Sequence, residues 1–176
     1  MVRSSLHTLT LALSLVGLLL AGPVLGQEEF ESVDDMLNKA QRFAESGRLK
    51  AGLKLYKQVL EREPTNEAAL YSLVILSEVV QEFADVVLYG TAYLYSAQTD
   101  LDKQEVSDKI AAAEASMAHP GRIRIKVYPA QAEISVNGVP VGKGEAEMAA
   151  QVSGAYLVKA SLTDYVPWEE EIRVES

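Results

Sequence analysis

The chain has 176 residues, no cysteine and a formal net charge of −9. Without cysteine it forms no disulfide and no thiolate zinc site. Its acidity argues against nucleic acid as a partner and against docking on an anionic membrane surface.

The chain opens as a targeting segment. Arg3 supplies the positive end, Leu9 to Leu20 is apolar, and Ala21-Gly22-Pro23 breaks the run. Val24 and Gly26 are the small residues of a cleavage site before Gln27. A bilayer span needs ~20 apolar residues, so export with removal of residues 1–26 ranks above anchoring. The product is then periplasmic or secreted, most naturally in a bacterium, with no transmembrane segment after cleavage. Residues 27–119 carry 17 acids and 9 bases, and residues 120–176 carry 8 and 6. Composition and pattern change between these two parts as well.

Residues 27–119 read as about five helices. Ser32 caps the first, with Asp34 and Asp35 facing the positive end of its dipole. Met36, Ala40 and Phe43 keep helical spacing, and Gly47 ends it. The second helix runs from about Leu49 to Arg62, with Leu53, Tyr56, Val59 and Leu60 on one face and Pro64 as its stop. Thr65 or Asn66 caps the third, which carries Leu70, Leu73 and Val74. A fourth spans about Ala84 to Ala97, where Tyr89 and Tyr93 form an i,i+4 pair. A fifth spans about Leu101 to Ala118, with Val106, Ile110, Ala113 and Met117 on one stripe, and closes the stack.

Antiparallel helices joined at Gly47 and closed at Pro64, with Ala40, Phe43, Gly52 and Tyr56 at the small and aromatic positions, resemble a tetratricopeptide repeat of ~34 residues beginning at Val33. A second, degenerate unit begins at Glu67, with Gly90 where an aromatic belongs. The resemblance implies that the first helix of each unit lines a concave groove. In that register the groove residues are Leu37, Gln41 and Glu45, then Tyr71, Ile75 and Glu78. Such a groove takes a protein or peptide partner. The alternative is that Leu37, Tyr71 and Ile75 are covered by the fifth helix or by the C-terminal half.

After His119-Pro120-Gly121 the period changes from helical to alternating. Ile123, Ile125 and Val127, then Ala132, Ile134 and Val136, alternate with polar residues. Asn137-Gly138 suits a type I′ hairpin turn, so Arg122 to Gly142 reads as a compact β-meander. Gly142-Lys143-Gly144 reads as a loop, Glu145 to Met148 as a short strand, and Ala155 to Leu162 and Trp168 to Val174 as the last strands. If the first and last strands are neighbours, Arg122, Arg124 and Lys126 pair with Glu169 and Glu171; the alternative is a basic strip that recruits an acidic partner. So small a β part without disulfides is expected to pack on the helices.

Pro129, Ala132, Ile134, Val136, Asn137-Gly138, Gly142, Gly154, Tyr156, Val158 and Asp164-Tyr165 together resemble the PEGA domain, a small β-sandwich of exported bacterial proteins. Gly144-Glu145 departs from the family, which has Thr-Pro after the second glycine. The resemblance implies a binding or spacer module without known chemistry.

Catalytic equipment is sparse. The mature chain has one histidine, His119, and no metal ligand set. Asp100, Asp102 and Glu105 lack the glycine and third acid of a calcium loop and read as helix capping. No cofactor is expected. The fold class is α+β, helical hairpin repeats followed by a small all-β sandwich. The function expected is a non-enzymatic protein-interaction scaffold of the cell envelope. The alternative is an envelope-binding module contacting cell-wall glycan or a surface layer through Tyr156, Tyr165 and Trp168.

Overall fold

The computed structural model describes residues 31–98, 100, 102–117, 120–151 and 153–174. The leader, its cleavage site, Leu101, Ala118 and His119 lie outside the described residues. Among the described residues five helices come first: α1 (Val33–Glu45), α2 (Leu49–Arg62), α3 (Glu67–Val79), α4 (Phe83–Ser96) and α5 (Lys103–Ser116). Six strands follow: β1 (Pro120–Lys126), β2 (Glu133–Val136), β3 (Val139–Lys143), β4 (Glu145–Gln151), β5 (Ala155–Ser161) and β6 (Trp168–Arg173). The fold class is α+β.

Local chemistry accounts for the helix ends. Ser32 Oγ accepts from the Asp35 amide at 3.1 Å, and Asn66 Oδ1 accepts from the Ala69 amide at 3.0 Å. Each satisfies one of the donors a helix leaves unpaired at its start. Asp102 stands at the start of α5 in a left-handed conformation and makes no side-chain cap bond, contrary to the capping role expected of it.

The two helix pairs repeat each other closely. α1 and α3 begin at Val33 and Glu67, and α2 and α4 begin at Leu49 and Phe83, an offset of 34 residues both times. The turns repeat too. Arg48 N donates to Phe43 O at 2.8 Å and Glu82 N to Ser77 O at 2.9 Å, around Gly47 (φ +76°) and Gln81 (φ 62°). Gly52 lets α1 and α2 approach closely, since a Cβ there would lie 3.2 Å from Ala40 O. Gly90 has its own reason for departing from the repeat. A Cβ there would lie 2.7 Å from Ile110 Cγ1, so α5 occupies the space that an aromatic would need.

α4 is apolar on nearly every side, with Val86, Val87, Leu88, Tyr89, Gly90, Ala92 and Tyr93 buried, the pattern of a helix surrounded by other elements. It packs against α3 and α5 and against β3 and β4. The helices and strands accordingly share one hydrophobic core, and residues 31–176 form a single compact unit. The expectation that the β part leans on the helices is met through α4. Among the described residues no helix is long and apolar enough to cross a membrane.

Among the described residues Ser77 is the one polar residue in the buried core, and its Oγ has no hydrogen-bond partner. A buried unpaired hydroxyl costs free energy, and alanine is the better helix former. Ser77→Ala is therefore expected to raise stability by about 1 kcal/mol, read as a higher urea midpoint. An unchanged or lower midpoint would mean that the hydroxyl is satisfied.

The strand order is β1-β4-β3-β2-β5-β6, with every pairing antiparallel. The β2–β3 hairpin turns at Asn137 and Gly138, both at positive φ (49° and 83°), as the dipeptide predicts. Asn137 Oδ1 also accepts from the Leu157 amide at 2.9 Å, tying the turn to β5. The meander expected for Arg122 to Gly142 is not formed: β1 pairs with β4, and β2 lies between β3 and β5. Gly142 and Lys143 belong to β3, so only Gly144, at φ +72°, makes the turn into β4. β4 itself runs on to Gln151. β3 and β4 share a single pair, Lys143 with Glu145, so the strands divide into a two-stranded layer, β1-β4, and a four-stranded layer, β3-β2-β5-β6.

That order also overturns the expected ladder between the first and last strands. β1 and β6 are the two ends of the order. Glu147 on β4 instead takes both arginines, with Arg124 Nε at 2.9 Å and an Arg122 guanidinium nitrogen at 3.3 Å. The Arg124 hydrogen bond is the main cause that holds the Glu147 carboxyl below its ordinary range.

Candidate functional site

The six groove residues fall on α1 and α3, but their surroundings differ. On α1, Gln41 and Glu45 are exposed and bonded to each other at 2.9 Å, and Leu37 is half-buried. On α3, the neighbours are residues of α5. The Tyr71 hydroxyl donates to Glu105 Oε2 at 3.2 Å, and Glu78 Oε2 accepts from Lys109 Nζ at 2.6 Å. Burial first, and then the Glu105 carboxylate, push the Tyr71 hydroxyl pKa up. The Glu78 hydrogen bond raises the Lys109 pKa. Ile75 is half-buried. Tyr71 and Glu78 are thus tied to α5, while Gln41 and Glu45 face solvent. The Tyr93 ring meets Tyr71 at 5.9 Å, and Tyr89 lies under the Lys57 ammonium at 5.7 Å.

A concavity lies between the two β layers. It is a cleft of about 440 Å³, within the ~300–1,000 Å³ range of pockets that receive ligands. One wall is five consecutive residues, Arg124 to Tyr128. The other is Val158 and Ala160 of β5 with Trp168 and Ile172 of β6. Consecutive lining residues mean that β1 and its extension border the space with a strand edge. Alternate lining residues mean that β5 and β6 border it with one face. Val174 packs against Gly121 at the start of β1, its Cγ1 filling the place that a Cβ there would need.

The aromatics of the β half divide accordingly. Trp168 is 46% exposed, Tyr165 59% and Tyr128 80%. Tyr156 is 5% exposed, and its hydroxyl accepts from the Gln151 amide at 2.8 Å. It is therefore a core residue and not the surface aromatic that the alternative reading required. Tyr128 was missed in the sequence. The available signal was an aromatic continuing the polar face of a strand, immediately before Pro129.

The cleft offers apolar area, aromatic edges and the polar backbone edge of β1. Among the described residues there is no cluster of His, Cys, Asp or Glu able to hold a metal ion. Most of the resolved pKa displacements are tyrosines raised by burial. The others are ion-pair members, Lys109, Arg124 and Glu147. These groups pack or pair and do not form an acid–base couple across a cleft.

No family model, curated protein or solved structure matches this chain.

Proposed function

We propose that the chain is an exported, non-enzymatic interaction protein of the bacterial envelope, in which tetratricopeptide-like helices and a PEGA-like β half form one scaffold that holds a partner protein. The observation that carries this reading is the 34-residue offset between the two helix pairs, helix starts and turn bonds alike, in a stack joined to the strands through α4. Repeated helix pairs present the side chains of their first helices along one surface, and such a surface holds partners by shape and apolar area. The proposed contact lies on α1, at Leu37, Gln41 and Glu45, where Gln41 and Glu45 are exposed.

The test uses residues 27–176 as bait for cross-linking in an envelope extract. Wild type is expected to retain a discrete protein that the surface double variant Gln41→Arg/Glu45→Arg recovers at least tenfold less, with an unchanged melting curve. Equal recovery by both baits, or no retained protein, would end this reading. The exposure of Trp168, Tyr165 and Tyr128 favours a second binding surface on the β half. Wall glycan is the other ligand class that exposed aromatics suit.

A further inference from the structure

The two β layers are unequal. Two strands, β1 and β4, face four, and beyond β1 the inner face of β5–β6 lies uncovered at Trp168 and along the cleft. We infer that this gap is a strand-receiving site: an extended partner segment with alternating apolar and acidic residues adds beside β1 as the third strand of the smaller layer.

Three independent features converge on it. The first is the free edge of β1. Val127 N donates to Gly144 O at 2.9 Å, and hydrogen-bonded and non-bonded pairs alternate along an antiparallel ladder. In the β1–β4 register, therefore, Ile123 and Ile125 spend their backbone groups on β4. The N–H and C=O of Arg124 and Lys126 point the other way, into the cleft. A strand edge is a ready template for another strand.

The second feature is the floor. An added strand sends alternate side chains inward. Those would land on Val158, Ala160, Trp168 and Ile172, of which Trp168 is 46% exposed. Apolar side chains there would cover area that now faces water, at roughly 25 cal/mol per Å².

The third is charge. The outward side chains of β1 are Arg122, Arg124 and Lys126. The two arginines share Glu147, with Arg122 also 3.7 Å from Glu114, while Lys126 makes no ion pair among the described residues. Outward residues of the added strand are cross-strand neighbours of this basic row, so carboxylates are favoured there. Glycan is less suited, because the floor is apolar and the polar groups of the β1 wall are backbone edges. The site stands apart from the α1 surface, and neither proposal requires the other.

Trp168 is the only tryptophan in the chain, so its fluorescence reports on this floor directly. The experiment titrates residues 27–176 with a nine-residue peptide alternating valine and glutamate. The comparison peptides are a scrambled one of the same composition and one N-methylated on alternate residues. The alternating peptide is expected to blue-shift Trp168 saturably, and the other two to bind at least tenfold more weakly. On binding, the amides of Arg124 and Lys126 should become protected from hydrogen exchange. Lys126→Pro removes an outward donor without touching the β1–β4 ladder, and proline is tolerated on a strand edge. It should abolish the shift while leaving the far-UV spectrum intact. If that variant does not fold, the N-methylated peptide and the exchange data decide the matter on the wild-type chain. Equal binding of all three peptides, or a Trp168 shift with soluble wall-glycan fragments and none with the alternating peptide, would overturn the inference.

Discussion

Gly144→Val is expected to lower stability by about 2–5 kcal/mol. Two costs coincide at this position. The backbone is at φ +72°, where a side chain costs ~1–2 kcal/mol. A Cβ would also lie 2.5 Å from Ala130 O and 3.0 Å from Ala130 Cα, which are backbone atoms that cannot swing aside. Gly144 is fixed there by its own hydrogen bonds: its N donates to Ala132 O at 2.9 Å and its O accepts from Val127 N at 2.9 Å. The residue thereby joins both layers. Gly138 is the internal comparison, since its φ is +83° but a Cβ there meets nothing within 4 Å. Urea unfolding should therefore show Gly138→Ala losing only the conformational cost and Gly144→Ala clearly more. Equal losses would mean that the Ala130 loop moves aside freely.

The second large effect is expected at Tyr89. It is 8% exposed in the middle of α4, and burial raises its hydroxyl pKa well above the usual tyrosine range. It borders a cavity of about 270 Å³ shared with Lys57 and Leu60 of α2 and with Val139 at the start of β3. Removing the ring enlarges a space between helices and strands, and truncating a buried aromatic costs ~3–5 kcal/mol. Tyr89→Phe keeps the ring and should lose no more than about 1.5 kcal/mol. Because the two halves share a core, Tyr89→Ala should shift helical ellipticity and Trp168 fluorescence together, in one transition. A helical transition that moves while the Trp168 transition stays in place would show that the halves unfold separately.

The helical part was largely legible because its signals are local. Ser32, Gly47, Pro64 and Asn66 bracket the helices within a residue or two of their observed ends, and the stripe through Val106, Ala113 and Met117 marks the buried side of α5. The groove was harder to read. Tyr71 and Glu78 were assigned by register, whereas their bonds to Glu105 and Lys109 depend on where α5 comes to rest, more than 30 residues later. Gly90 departs from the repeat pattern, and only the position of Ile110 beside it explains why.

In the β half the strands were legible and their order was not. Alternation identified nearly every strand, and Asn137-Gly138 located one hairpin. The same alternation is compatible with several partners for each strand, so the meander and the β1–β6 ion pairs were reasonable on sequence and wrong in space. Tyr156 and Trp168 show the difference most plainly. Both begin or continue an alternating run, yet one is sealed by β-layer packing and the other lies at a cleft mouth.

What the amino-acid sequence determined by itself is the helices, most of the strands and their polar and apolar faces, because capping, turn chemistry and periodicity act over a few residues. Only the tertiary structure decided that α4 joins the two halves, that α5 ties down Tyr71 and Glu78 of α3, and that β1 ends the strand order beside an apolar floor. Those outcomes rest on contacts between residues distant in the chain. There, packing among competing partners outweighs any local preference.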